Sequence, residues 1–381
     1  MAASDAPPRV LLVGGAGIPS GVPRHICHLA KAFEGTADVT VVSEADLGGY
    51  SALAEMGTRH VVLDGLSSRL SLRHMWRGWW GFLRFLRQSR ADLTWIHPRF
   101  PSLMGRAALA LRLWRPAGAT AFTIHGLPYG KGHKPHASFL SLMLEKALLR
   151  TCPPINLIFL SQDMADRARI RLGARNLARH NVHVLPNCSD LGTLPAFTRP
   201  ADPTLVMTGR AGRQKNYAAA IGLMNHLPDD TALILCGTGT DTAAFQREIR
   251  AQLADDVASR VFCTGPVRDV RPLLRAADAY LLTSRYEGTP IGTLEAFEAG
   301  LPIVLADFEG ARALVDRHPM GLVIDTAEPE TAGLRIADFL RRARMSDPAL
   351  RQDIRRVWER EWSPEVFGDR ARNLLHRMLA G

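Results

Sequence analysis

The sequence has few cysteines and no long apolar run. Its five cysteines are scattered and form no C-x-x-C pair, which argues against a disulfide framework or a thiolate metal site and fits a reducing compartment. No apolar stretch approaches the length of a membrane span, and the N-terminal "MAASDAPPRV" lacks the charged-then-apolar pattern of a signal peptide. These absences predict a protein of the cytoplasm, possessing at most a peripheral attachment to the inner face of the cytoplasmic membrane.

Acidic residues are scarce in the first half of the chain. Residues 1–190 carry 23 Lys and Arg against 12 Asp and Glu, whereas residues 191–381 carry 24 against 25, so the net charge of +10 arises in the first half. Such a balance favours nucleic acid, an anionic membrane surface or a phosphorylated acceptor as partner. An Arg-rich composition set by a GC-rich genome would explain the total charge, but it explains the asymmetry poorly.

Short apolar runs alternate with helix-length segments along all 381 residues. Most runs are continuously apolar, as parallel strands buried on both faces are, so we predict an α/β fold with two doubly wound, Rossmann-like domains. The boundary falls in the proline-rich segment 190–203, and a ligand is expected in the cleft between the domains, at the carboxyl ends of the strands. The predicted strands are 9–15, 37–43, 59–64, 92–97, 119–126, 156–161, 182–187, 204–209, 231–239, 261–265, 279–284, 302–306 and 321–325.

The segment "YEGTPIGTLEAFEAGLPIV" (286–304) places Glu287 and Glu295 around a Thr-Pro-Ile-Gly segment, with Glu295 in the second turn of a predicted helix. Thr289 is a good N-cap and Pro290 suits the first helical position, so a helix is predicted over residues 290–299. Free N–H groups at a helix N-terminus favour phosphate, and nearby carboxylates suit sugar hydroxyls. The combination predicts a site for a nucleotide sugar.

Three further groups follow predicted strands. They are the glycine-rich turn "GGAGIPSGVPRH" (14–25), His125 with Gly126, and "GRAGRQK" (209–215). Arg210 and Lys215 of the last group can neutralise a pyrophosphate leaving group. Taken singly, each has a plainer interpretation: a tight turn, a structural histidine and a solvated loop.

Together these motifs resemble the retaining GT-B glycosyltransferases of family four (glycosyl transferases group 1), over nearly the whole chain. The E-x7-E pair Glu287 and Glu295 is the most specific match, and "VHVLPNCSD" (182–190) is similar to a further family motif. The resemblance implies an acceptor-binding domain (1–190), a donor domain (191–362) and a terminal helix (363–381) that crosses back to the first domain.

The resemblance also implies roles for the matching residues. Arg210 and Lys215 would hold the donor diphosphate, Glu287 would contact the donor-sugar hydroxyls, and Glu295 the ribose. His125 would lie beside the donor sugar; with Glu287, Arg210 and Lys215 it forms the predicted catalytic set. Further donor contacts are implied at the loop glycine Gly21 and at the helix start, formed by Pro290, Ile291, Gly292 and Thr293.

Two positions depart from the family pattern, but neither affects the expected reaction. Cys188 and Asn216 each stand where many members have glycine. No two aspartates are spaced as D-x-D, the metal signature of the other main transferase fold. We therefore expect no metal and no cofactor, with a nucleoside-diphosphate sugar as co-substrate.

Residues 67–90 form the most unusual segment outside these motifs. One helical face is predicted to carry Leu72, Met75, Trp76, Trp79, Leu83 and Leu86, and the stripe beside it Arg73, Arg77 and Arg84, with Trp80 between the two. The apolar face fits a helix packed on its sheet, whereas the arginines and Trp80 fit a bilayer interface. Lys131 and Lys134 add positive charge, so we expect acceptor or membrane contacts at these basic residues.

The predicted function is retaining transfer of a hexosyl unit to a lipid-linked or surface-polysaccharide acceptor, with an anionic membrane surface as a further partner and no nucleic acid. A GT-B-fold sugar-nucleotide epimerase is the nearest alternative, but it would need further acidic residues that the sequence does not place. A basic nucleic-acid-binding protein is the alternative from another class, although no Arg-rich recognition helix or aromatic RNA-binding strand is evident.

Overall fold

The computed structural model describes residues 6–67 and 72–380, with side chains described except at residues 72–74. The chain forms two compact units. Unit one comprises Met1–Tyr129, Pro135–Cys188 and Pro364–Gly381, and unit two comprises Gly130–Lys134 and Ser189–Ser363. The short segment Gly130–Lys134 thus packs in the second unit, where the ring of His133 stacks on Tyr286 at 3.9 Å.

Unit one contains a seven-stranded parallel sheet in the order β3-β2-β1-β4-β5-β6-β7. The strand order reverses direction between β1 and β4, which is the position where doubly wound sheets bind ligands. The strands are β1 (Arg9–Val13), β2 (Asp38–Ser43), β3 (Arg59–Val62), β4 (Leu93–Ile96), β5 (Ala119–Ile124), β6 (Asn156–Phe159) and β7 (Asn181–Val184).

Helices cover both faces of this sheet. They are α1 (Gly21–Ala32), α2 (Ala52–Glu55), α3 (Leu72–Gln88), α4 (Arg99–Ala110), α5 (Pro135–Thr151), α6 (Gln162–Leu172) and α7 (Ala174–Leu177). Side chains of α3, α4, α5 and α6 share one apolar core, whereas those of α1 and α2 belong to another. The two cores explain why the strands between them are apolar on both faces.

Unit two contains a six-stranded sheet in the order β10-β9-β8-β11-β12-β13, again parallel and with its reversal beside β8. Its strands are β8 (Thr204–Thr208), β9 (Ala232–Cys236), β10 (Val261–Gly265), β11 (Ala279–Leu282), β12 (Ile303–Ala306) and β13 (Gly321–Ile324). Its helices are α8 (Tyr217–Leu223), α9 (Ala243–Gln252), α10 (Asp255–Ala258), α11 (Arg271–Arg275), α12 (Ile291–Glu298), α13 (Ala311–Val315), α14 (Pro329–Met345) and α15 (Ala349–Glu361), with a 3₁₀ turn at Met224–His226.

The last helix, α16 (Pro364–Ala380), belongs to unit one. Phe367, Ala371 and Leu374 join the core on the α1 side of the sheet, and the Arg372 guanidinium donates to the Ala32 carbonyl at 3.0 Å. Burial of one apolar face of α16 therefore holds the C-terminal segment to the first unit.

Each predicted strand is present, which confirms the doubly wound α/β fold, but several strands end earlier than predicted. Strand β9 stops at Cys236 because Gly237 adopts a φ of 145°. A Cβ at Gly237 would lie 1.9 Å from the Gly209 carbonyl oxygen, so the chain turns there through a conformation that requires glycine.

Candidate active site

The predicted donor residues of unit two lie in two loops that follow β8 and β11. The Glu287 carboxylate accepts hydrogen bonds from Lys215 Nζ at 2.9 Å, Ser284 Oγ at 2.7 Å and Gln214 Nε2 at 3.1 Å. The side chains of Lys215 and Glu287 are 19% and 8% exposed, so the ion pair is largely shielded from solvent. The structure therefore brings together two predicted site residues and adds Ser284 and Gln214, which sequence reasoning missed.

Lys215 is held in its charged form. Burial alone would lower the pKa of its ammonium group, but attraction to Glu287, to Tyr280 and to Glu295 outweighs that effect and raises the pKa. A fixed cation beside a carboxylate is suited to a ligand that carries both phosphate and hydroxyl groups.

Backbone contacts fix the two loops to each other. Thr283 Oγ1 donates to the carbonyls of Lys215 at 3.2 Å and Asn216 at 3.0 Å, and the Arg285 N–H donates to the Gln214 carbonyl at 2.8 Å. Asn216 has a φ of 54°, a left-handed conformation that asparagine and glycine tolerate best. This explains why asparagine can replace glycine at this position.

The helix that contains Glu295 begins one residue later than predicted. Pro290 is the N-cap, with an extended ψ of 114°, and α12 runs from Ile291 to Glu298. Thr289 is therefore not the N-cap; it is buried in the fold. The prediction was wrong because the fixed φ of proline suits both the cap and the first helical position, and only ψ distinguishes them. Gly300, with a φ of 68°, follows the end of the helix.

The start of α12 leaves two N–H groups available. The Thr293 N–H donates to the Pro290 carbonyl at 3.0 Å, whereas among the described residues no hydrogen bond is made by the N–H groups of Ile291 and Gly292. Gly292 lies against β8 and β11, since a Cβ there would be 2.3 Å from Tyr280 Oη and 2.7 Å from Thr208 Oγ1. The start of α12 thus offers two donors, fewer than the sequence suggested.

Arg210 and Glu295 complete the predicted donor set in unit two. Arg210 follows Gly209 and is exposed, and its guanidinium makes no hydrogen bond or ion pair within the described part of the chain. Glu295 is only 6% exposed and lies close enough to Tyr280 to contribute to raising the pKa of its phenol, which burial chiefly raises to about 12. A cavity of about 520 Å³ also opens beside the 209–216 loop, lined by Arg213, Tyr217, Phe245 and Arg285 among others.

In unit one, His125 belongs to a cluster of three imidazoles. Its ring centroid lies 5.1 Å from that of His25 on α1 and 5.9 Å from that of His97, and His25 and His97 are 5.3 Å apart. Sequence reasoning missed His25 and His97. The signal was present, because His97 directly follows β4 as His125 follows β5, and carboxyl ends of neighbouring parallel strands share one edge.

The three imidazoles are neutral at pH 7. Burial lowers the pKa of His125 to about 4, and burial together with the neighbouring rings lowers the pKa of His25 and of His97 well below the usual range. His25 Nδ1 lies 2.9 Å from Asn187 Oδ1, which leaves Nε2 without a hydrogen. Within the described ranges, four ring nitrogens are buried and have no hydrogen-bond partner: His25 Nε2, both nitrogens of His97 and His125 Nε2. The cluster can therefore bind hydroxyl groups.

The remaining predicted residues lie on the surface. Gly21 is the exposed first residue of α1, and Arg77, Arg84 and Trp80 are exposed on α3, whereas the Arg73 side chain lies outside the described residues. Lys134 is also exposed. Lys131 Nζ instead contacts Asp307, at 3.0 Å from its carbonyl and 3.4 Å from its carboxylate, so its charge is partly compensated.

The predicted apolar face of α3 was partly wrong. Leu83 and Leu86 are buried as expected, but Trp76 is 64% exposed and Phe82 is buried in its place. The buried face is centred on Gly78, where a Cβ would lie 2.4 Å from the Gly65 carbonyl oxygen. A glycine carries no hydrophobic signal, so the sequence pattern could not show that this side of the helix packs inward.

No group of three His, Cys, Asp or Glu side chains in residues 6–67 and 72–380 is arranged to hold a metal ion. Within the same ranges, no helix has the length and apolar character needed to cross a membrane.

Sequence comparison finds two families that together span most of the chain. Residues 19–192 match the family described as Glycosyltransferase Family 4, and residues 196–356 match Glycosyl transferases group 1. The two matches meet near the boundary between the units.

Curated relatives share between a fifth and a third of their aligned residues with this chain. The glycosyltransferase EpsF of Bacillus subtilis is 29% identical over 37% of this chain and 40% of its own length, so the chain spans less than half of that relative. The lipopolysaccharide core biosynthesis glycosyltransferase LpsD of Rhizobium meliloti is 27% identical over 80% of this chain and 84% of its own. The UDP-Gal:alpha-D-GlcNAc-diphosphoundecaprenol alpha-1,3-galactosyltransferase of Escherichia coli is 23% identical over 64% of each chain.

Solved structures share the fold. Sucrose-phosphate synthase of Thermosynechococcus elongatus superposes with a TM-score of 0.77 at 16% identity, covering 98% of this chain and 99% of that one. Anabaena HepE in complex with UDP-glucose gives a TM-score of 0.76 at 16% identity, over 97% of this chain and 100% of that one.

Proposed function

Because the chain belongs to the group 1 glycosyltransferases and has their GT-B fold, we propose that it transfers a hexosyl unit from a nucleoside-diphosphate sugar with retention of anomeric configuration and without a metal ion. The observation that carries the proposal is the shielded Lys215–Glu287 ion pair beside the start of α12. It places a fixed cation, a carboxylate and two available N–H groups at one edge of the unit-two sheet.

In this proposal positively charged side chains and backbone N–H groups bind the diphosphate of the donor. Arg210 and Lys215 bind the diphosphate, and the N–H groups of Ile291 and Gly292 donate to a phosphate oxygen. Glu287 accepts hydrogen bonds from the donor-sugar hydroxyls, and Glu295 from the ribose. For Gly21 and His125 of unit one we propose the roles that the family resemblance implies, near the diphosphate and the sugar respectively.

The proposed reaction breaks the bond between the anomeric carbon and the phosphate oxygen. The nucleoside diphosphate leaves with the bonding electrons, and the acceptor hydroxyl attacks from the same face, its proton passing to the departing phosphate oxygen. Arg210 and Lys215 stabilise the charge that develops on the leaving group, which is the task that a metal ion performs in other transferases. The neutral His125 imidazole can accept a hydrogen bond from a sugar hydroxyl without repelling the cations.

The proposed acceptor is carried by a lipid or belongs to a surface polysaccharide. Two relatives support this proposal by their names, one acting in lipopolysaccharide core biosynthesis and the other on a diphosphoundecaprenol-linked sugar. The excess of basic residues in the first half of the chain fits an anionic membrane surface. We therefore place the enzyme on the inner face of the cytoplasmic membrane.

The test is release of nucleoside diphosphate from UDP-, GDP- and ADP-sugars in EDTA, with and without a bacterial lipid extract. We expect one donor to be turned over, with lipid required and EDTA without effect. Glu287→Ala should lower the rate by roughly 10²–10³, by analogy with the loss of one oxyanion-hole donor, because it removes a sugar contact and leaves the Lys215 ammonium group without its partner. The exposed Glu330 on α14 is the matched control, and Glu330→Ala should leave the rate unchanged. Full activity of Glu287→Ala, or no turnover of any donor, would contradict the proposal.

A further inference from the structure

Two helices of unit one, α3 and α5, lie on either side of α4 and expose large apolar side chains to solvent. On α3, Trp76 is 64% and Trp80 46% exposed, and their rings contact each other edge to face at 5.6 Å. On α5, Phe139 is 64% and Leu140 70% exposed, with Met143 and Leu144 about 40% exposed beside them. We call these six residues the outer apolar surface. Clustered exposed apolar side chains of this size mark interaction sites more often than single ones do.

The two halves of this surface lie at the same end of unit one. Helices α3, α4 and α5 pack side by side on one face of the sheet, and Arg99 at the start of α4 donates to Ser141 on α5 at 2.8 Å. Each helix leads from a strand into the next parallel strand, so each begins near the carboxyl ends of the strands. Trp76 and Trp80 are among the first nine residues of α3, and the four α5 residues are among the first ten of α5.

The surroundings of this surface are basic. Residues 65–144 contain ten Arg and two Lys but a single acidic residue, Asp92. Asp92 precedes β4 at the opposite edge of the sheet, where it pairs with Arg9 at 3.3 Å. The next acidic residue, Glu145 on α5, is buried and paired with Arg106. Exposed Arg77 and Arg84 therefore have no carboxylate from α3, from α4 or from the first half of α5 to offset them.

We propose that the outer apolar surface inserts into the interfacial layer of an anionic phospholipid membrane. Tryptophans and aliphatic side chains enter the boundary between headgroups and acyl chains, and Arg77 and Arg84 pair with lipid phosphates. A second copy of the chain is the poorer partner, because pairing two copies of this face would bring basic surfaces together. The sequence indicated the arginine stripe, Trp80, Lys131 and Lys134; the structure adds Trp76 and the α5 residues.

This inference rests on the proposed function only in that the membrane supplies the acceptor. The contact surface lies at the end of unit one where the carboxyl ends of its strands are, which is where a lipid-borne acceptor would have to arrive. Membrane binding itself needs neither donor nor turnover, so it can be measured separately.

The experiment is co-sedimentation with vesicles of phosphatidylcholine, with and without phosphatidylglycerol. The double substitution Phe139→Ser with Leu140→Ser should weaken binding to the anionic vesicles by about tenfold or more, because it removes two apolar side chains from the interface. Arg77→Gln should weaken binding less and reduce its dependence on salt. The control is Ile170→Ser on α6, which removes an 81% exposed apolar side chain from the same unit; it should bind like the wild type.

Other outcomes would overturn the proposal. Equal binding by the α5 double variant and the Ile170→Ser control would show that α5 does not contact lipid. Equal binding to neutral and anionic vesicles would show that the arginines do not pair with lipid phosphates. A dimer seen by sedimentation of the wild type and lost in the α5 double variant would identify a second copy as the occupant. Donor turnover with a water-soluble acceptor separates the two proposals: the double variant should retain it, whereas Glu287→Ala should lose it and still bind vesicles.

Discussion

At the scale of single residues, the candidate donor site depends on close approaches that leave no room for larger side chains. Gly292 brings the first turn of α12 against the hydroxyl groups of Tyr280 and Thr208, which are themselves 3.1 Å apart. The same approach holds the N–H groups of the helix start at the edge of the sheet. The position of the α12 start, which we propose contacts phosphate, therefore depends on the absence of a side chain at residue 292.

Gly292→Ala should destabilise unit two, because the new methyl group would overlap Tyr280 Oη. We expect a loss of roughly 1–3 kcal/mol in the free energy of unfolding, the usual cost of overpacking. Tyr280→Phe removes the overlapping hydroxyl, so the double variant should recover part of the loss in a denaturant-unfolding cycle.

The control is Gly222→Ala in α8, where a Cβ would meet nothing within 4 Å. That substitution should be neutral or stabilising, since alanine favours helix more than glycine does. A double variant no more stable than Gly292→Ala alone would show that the hydroxyl is not the obstacle.

At the scale of elements, a buried ion pair joins α4 to α5. The Arg106 guanidinium donates to both carboxylate oxygens of Glu145, at 2.6 and 3.1 Å, and the two side chains are only 2% and 9% exposed. Burial alone would lower the pKa of Arg106, but attraction to Glu145 outweighs it and the pKa is raised. The pair lies beneath the exposed residues of α5, so it fixes the helix that carries half of the outer apolar surface.

Glu145→Ala should destabilise the protein by roughly 3–5 kcal/mol, because it leaves the Arg106 charge buried without a partner. Replacing both residues, as Arg106→Met with Glu145→Leu, should recover most of that loss because no charge remains buried. Thermal unfolding of the two variants and the wild type would measure both effects. If Glu145→Ala is as stable as the wild type, water must reach the Arg106 guanidinium.

Sequence patterns predicted some helices and strands correctly and failed for others. The strands of both sheets could be predicted because continuous apolar runs bounded by glycine and proline have few other interpretations. The side of α3 that packs inward could not be, since it depends on Gly78 meeting Gly65 across a loop. The N-cap of α12 could not be predicted either. Local sequence preferences allow Thr289 as the cap with Pro290 as the first helical residue, and they equally allow Pro290 as the cap.

At the scale of the whole molecule, stability should depend on pH through buried histidines. Burial lowers the pKa of His125 to about 4 and that of His318 in unit two to about 3, and the pKa of His25 and His97 is well below the ordinary value. Between pH 6.5, the ordinary value, and about 4, the unfolded chain binds protons that the folded chain does not.

Stability should therefore be complete above about pH 6.5 and should fall as the pH is lowered towards about 4. Denaturant unfolding at a series of pH values would show this slope, and His125→Asn should make it shallower. The control is His376→Asn, which changes an exposed histidine on α16 and should leave the slope unchanged. A slope that His125→Asn does not alter would mean that water already reaches the imidazole.

The sequence by itself determined the two doubly wound units, the loops that carry Arg210 and Lys215, and the spacing of Glu287 and Glu295. These features depend on hydrophobic periodicity and on turn residues, both of which are determined by residues close together in the sequence. Only the tertiary structure decided which distant groups meet. It pairs Lys215 with Glu287 across 72 residues, gathers His25 and His97 around His125, and exposes Trp76 and the α5 residues on helices that flank α4. Such contacts depend on the order of strands in a sheet, which no short segment specifies.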